Sequence, residues 1–94
     1  MAYPKDELPA PPAALTDVRA FELARVWYAD DAPVVTARLD PWPDPAAWGL
    51  VLGDVARQVA QMYAERGDTD VATALARLRL GLDAELGESD ATPS

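Results

Sequence analysis

Asp40-Pro41-Trp42-Pro43-Asp44-Pro45-Ala46-Ala47-Trp48-Gly49-Leu50-Val51-Leu52-Gly53-Asp54-Val55-Ala56 combines a strand-breaking turn, a helix start and two tryptophans in one run. Prolines at 41, 43 and 45 stop any strand that enters from the left. The carboxylate of Asp44 is placed to accept hydrogen bonds from the free amides of a first helical turn. Pro45 suits the first helical position, where no N–H is needed. The reading therefore puts β structure before residue 40 and helix after residue 44.

Downstream, Trp48, Val51, Leu52, Val55, Val59, Met62 and Tyr63 fall on one stripe at about 100° per residue. Asp54, Arg57, Gln58, Gln61 and Glu65 take the opposite arc. Gly49, Gly53, Ala56, Ala60 and Ala64 form a smooth flank between them that lets another element approach closely. That flank reads as tight packing within the subunit or as a dimer seam. Gly67 closes this helix, and Asp68 or Thr69 is the expected cap of a second one. So short a link permits only an antiparallel pair. In the second helix Val71, Leu75, Leu78, Leu82 and Leu86 make a narrow stripe, and Gly87 is the expected stop. Leu50 and Leu80 lie off the stripes of their helices and are the expected intermolecular contacts.

Upstream, residues 20–28 and 34–39 are rich in β-branched and aromatic side chains, with Ala29-Asp30-Asp31-Ala32-Pro33 between them. This predicts a hairpin. Pairing Tyr28 with Val34 sets Trp27 opposite Val35, Arg25 opposite Ala37 and Leu23 opposite Leu39. Arg25 then stands among Phe21, Leu23, Trp27, Val35, Ala37 and Leu39 on an otherwise apolar face. A guanidinium in that position must reach the rim or find an anion. It reads as a structural ion pair or as an anion-recognising group, with Trp27 and Trp42 lining a small ligand site.

The 94 residues fit one domain, divided here into a Pro-rich flexible arm (1–17), a small α+β domain (18–87) and an acidic disordered tail (88–94). With no Cys and no His, disulfides and the usual zinc sites are excluded, and so are Ser, Cys and His nucleophile schemes. Asp40, Asp44 and Asp54 are the nearest candidates for carboxylate chemistry. Capping explains Asp44 and an exposed helical position explains Asp54. Asp30-Asp31 lacks the spacing of a calcium loop. No catalytic, cofactor or metal site is expected, and an enzyme is not. A net charge of −8 makes nucleic acid a poor partner. No run approaches a membrane span and the N-terminus lacks a signal pattern, so a cytoplasmic location is expected.

The runs Glu22–Asp30, Asp44–Arg57 and Gln58–Tyr63 resemble a small bacterial family catalogued as domain of unknown function 5076. The resemblance covers roughly residues 9 to 66 and is most specific at Asp44-Pro45-Ala46-Ala47-Trp48-Gly49 and Asp54-Val55-Ala56-Arg57. Members often carry His after that Arg, where this chain has Gln58. The resemblance implies the domain boundary and a bacterial source, and it implies no activity.

The sequence thus predicts an α+β fold of order β-β-α-α, a hairpin laid on an antiparallel helical pair. Lacking covalent staples, it is expected to form a homodimer. The expected role is a homo-oligomeric interaction or regulatory module with a possible further protein partner. The alternatives are a binder of small anionic or aromatic ligands and an acidic inhibitor of a basic protein.

Overall fold

The structure is a computed structural model and describes residues 6–90. Its elements are α1 (Pro12–Thr16), β1 (Ala24–Ala29), β2 (Ala32–Ala37), α2 (Pro45–Arg66) and α3 (Val71–Asp90). The hairpin followed by a helical pair is the predicted order. The chain divides into two compact units, Met1–Pro41 and Trp42–Ser94. Each is described by itself.

In the first unit, the Pro-rich lead-in contains a short helix. Pro12 opens α1, where its missing N–H is not needed, and the Thr16 hydroxyl donates to the Pro12 carbonyl at 3.2 Å. Asp17 Oδ1 then accepts the Arg19 amide at 2.9 Å, a local side-chain turn that ends the helix. β1 and β2 form a two-stranded antiparallel sheet.

The pairing differs from the expected one by a single residue. Arg25 lies opposite Thr36, Val26 opposite Val35 and Trp27 opposite Val34, with Ala29 and Ala32 closing the ladder. The cause is the turn. Asp30 and Asp31 have φ of 53° and 61°, so a two-residue loop replaces the expected five-residue one. Positive φ at both central positions is the requirement of a type I′ turn, whose twist matches that of the strands. Aspartate tolerates that region, and the Tyr28 hydroxyl donates to the Asp31 carbonyl at 3.1 Å. A one-residue slip changes which β2 side chains share a face with β1. Arg25 and Trp27 therefore stand with Thr36 and Val34, while Val35 and Ala37 join Val26 and Ala24.

In the second unit, Asp44 caps α2 as predicted. Its Oδ1 accepts the Ala46 amide at 3.0 Å, and Pro45 occupies the first turn. At the other end Gly67 has φ 91°, its N–H donates to Ala64 O at 3.0 Å, and the Asp68 N–H donates to Tyr63 O at 3.3 Å. This pair of bonds satisfies two carbonyls that the helix itself leaves open.

The cap of α3 is Asp70 rather than Asp68 or Thr69. Asp70 Oδ1 accepts the Thr73 amide at 2.7 Å, and its carbonyl accepts the Ala74 amide at 3.0 Å. The Asp68 carboxylate is held by Arg66, so it is not spent on a helix. α3 also runs past Gly87 to Asp90. A glycine weakens a helix but ends it through left-handed backbone, and among the described glycines Gly67 is the one with positive φ.

α2 and α3 pack on each other. Among the described residues the buried apolar side chains are Ala60 at 0% and Ala74 at 6% exposure, one from each helix. The flank of small residues thus supplies the seam, with Ala56 and Ala64 half-buried on either side of Ala60. Gly49 and Gly53 stay exposed, and a Cβ at either position would meet open space.

Candidate functional site

Arg25 sits on the less exposed face of the hairpin. Leu23, Arg25 and Trp27 are half-buried, whereas Val26 and Tyr28 are exposed. Its Nε donates to Glu22 Oε2 at 2.8 Å, and its Nη1 pairs with Glu7. The hydrogen bond and charge of Glu22, with the charge of Glu7, raise the guanidinium pKa above its ordinary value. One cation therefore faces two carboxylates, and an anion arriving there must displace one of them.

Arg25 and Trp27 also line a gap of 810 Å³ between the segment that includes Glu7, Leu8 and Pro9 and the strand β1. Trp42, the third residue of the expected ligand site, belongs to the second unit. There it meets Trp48 edge to face, with ring centroids 5.9 Å apart and planes at 82°. That geometry favours aromatic packing at the start of α2. Asp30 and Asp31 form the hairpin turn and Asp44 caps α2. Among the described residues no three His, Cys, Asp or Glu side chains group as metal ligands.

The second unit carries an apolar surface of its own. On α2, Leu52 is 58% and Met62 60% exposed, with Val55 and Tyr63 also exposed between and beside them. On α3, Val71, Leu82 and Leu86 are exposed while Leu75 and Leu78 are half-buried. Most of the predicted stripe on α2 thus lies open rather than in a core. A groove of 570 Å³ continues from Tyr63 along Ala74, Leu78, Gly81 and Leu82. Leu50 is 79% exposed and Leu80 is exposed as well, each off the stripe of its own helix.

Sequence periodicity identified the α2 stripe, and periodicity alone is compatible with a core or with an open face. The signal that separates the two outcomes is size. Two helices of 22 and 20 residues have one mutual seam. Once alanines fill it, the bulky stripe must face elsewhere.

The fold and these surfaces define a small α+β domain with a hairpin and a helical pair. The chain belongs to the family described as Domain of unknown function (DUF5076), whose profile matches residues 7–89. A solved structure from the photosynthetic bacterium Rhodopseudomonas palustrus, described as that of a "putative pyruvate dehydrogenase", is similar to it. The two are 31% identical with a TM-score of 0.67, over 100% of this chain and 90% of the other. No curated protein matches. No helix among the described residues is long and apolar enough to cross a membrane.

Proposed function

We propose that this chain is a homo-oligomeric interaction module that acts by presenting a surface rather than by catalysing a reaction. One observation carries the reading. The α2 stripe of Leu52, Val55, Met62 and Tyr63 is exposed, while two alanines make up the buried apolar core of the described residues. Contiguous apolar surface of this kind marks an interaction site in soluble proteins. Fully burying a large apolar side chain is worth about 1.5–3 kcal/mol, and these residues retain roughly half of that gain for a partner.

Leu50 and Leu80 extend the contact beyond the stripes. The description of the Rhodopseudomonas structure belongs to that protein. The reading is tested by Leu52→Glu and Met62→Glu, examined by light scattering and circular dichroism. Retained helicity with a fall from dimer to monomer mass supports it. A helical variant with unchanged mass contradicts it.

A further inference from the structure

The hairpin has two outer edges, and they are chemically different. The Arg38 amide donates to the Leu23 carbonyl at 2.8 Å, which marks Leu23 and Arg38 as a hydrogen-bonded pair. In an antiparallel ladder such pairs alternate with non-bonded ones. With the observed register, Arg25 and Trp27 direct their backbone groups at β2. Ala24, Val26 and Tyr28 direct theirs outward. On β2 the outward residues are Pro33, Val35 and Ala37.

Pro33 has no N–H to offer, so the β2 edge is blunted in the way proteins commonly protect an edge strand. The β1 edge has no such protection. Its outward residues are all donors and acceptors with uncharged side chains, and Val26 and Tyr28 are exposed. Among the described residues, no hydrogen bond outside the hairpin is made by the amides of Ala24, Val26 or Tyr28.

We infer that the β1 edge pairs antiparallel with β1 of a second copy, centred on Val26, so that two hairpins form one four-stranded sheet. This rests on the homo-oligomeric reading and adds the surface through which the hairpin takes part. The occupant follows from self-complementarity. About a two-fold at Val26, the outward groups of Ala24, Val26 and Tyr28 meet those of Tyr28, Val26 and Ala24 from the second copy, giving about six backbone hydrogen bonds.

The same register sets Arg25 of each copy opposite Trp27 of the other. A guanidinium and an indole attract one another there, and no like charges oppose each other between Ala24 and Tyr28. An added strand uses backbone bonds for affinity, which suits a sheet of only two strands that is marginal alone.

The test is amide hydrogen exchange by NMR on the full chain, at a concentration where sedimentation shows a dimer and again after dilution, with Val26→Lys alongside. The expected result is slow exchange at Val26 and Tyr28 in the dimer, accelerated roughly tenfold or more by dilution or by Val26→Lys. Arg25 and Trp27 amides remain protected in the variant and report that the hairpin is intact. If Val26→Lys does not fold, the dilution series decides alone. A dimer whose Val26 and Tyr28 amides exchange as fast as those of the turn overturns the edge pairing and leaves the homo-oligomeric reading standing. Protection that persists in the diluted monomer assigns the edge to this chain's own N-terminal segment and also overturns it. A chain that is monomeric at every concentration overturns both.

Discussion

Asp44 and Asp70 do the same work at the starts of two helices, and only one of them was legible beforehand. Asp44 stands directly before a proline and an amphipathic run, so its role follows from local sequence. Asp70 competes with Asp68 and Thr69, and the choice depends on how many residues the chain needs after Gly67 and on Arg66 holding Asp68. Replacing Asp44 with alanine removes the acceptor for the Ala46 amide and destabilises the fold by about 0.5–2 kcal/mol, read as a lower denaturant midpoint at neutral pH.

Asp70 adds a pH dependence. The Thr73 backbone amide, followed by its hydroxyl, lowers the Asp70 pKa below the ordinary 3.8. A depressed carboxylate contributes stability that is full above its unfolded value and is lost as pH falls through the folded one. Asp70→Asn therefore narrows the stability gap between neutral pH and pH below 3.8, measured as thermal midpoints across that window. A wild-type and variant difference that stays constant with pH refutes this role. Arg25 illustrates a different limit. Its sequence position announced an anionic partner, but the partners lie at Glu22 and Glu7, and the second is too distant in sequence to be assigned from a pattern.

Among the elements, the hairpin, α2 and α3 were legible because each carries punctuation with a local mechanism, whereas α1 fell in the segment read as an arm. Register was not. It hung on whether two aspartates would accept left-handed backbone, and the expected longer loop moved every β2 side chain to the wrong face. The helix ends show the same principle. Gly67 and Gly87 look alike in sequence, yet only Gly67 adopts positive φ. Gly67→Ala meets no steric obstacle at its Cβ, so its effect is backbone strain alone, about 1–2 kcal/mol. Chemical denaturation measures it, and an unchanged midpoint contradicts the cap. Gly53→Ala makes the opposite prediction. It lies within α2 with open space around a Cβ, so it stabilises the helix by about 0.5–1 kcal/mol. Loss of stability on that change, read in the same assay, moves the interface onto the Gly49 and Gly53 flank.

At the scale of the molecule, the absence of Cys and His in the sequence and a net charge of −8 leave few ways to add stability within one chain. A second copy is the source we propose, since it would cover apolar side chains without a covalent staple. The charge acts against association at low ionic strength and is screened as salt is added, so the proposed dimer is expected to strengthen with salt. Family membership fixes the domain and not its role. The surface supplies the functional argument instead, through Leu52, Val55, Met62 and Tyr63. Sedimentation equilibrium of the full chain across a wide concentration range tests that argument most directly. A homodimer gives a mass of twice 10.1 kDa at micromolar concentration and above, and a single 10.1 kDa species throughout the range overturns the proposed role.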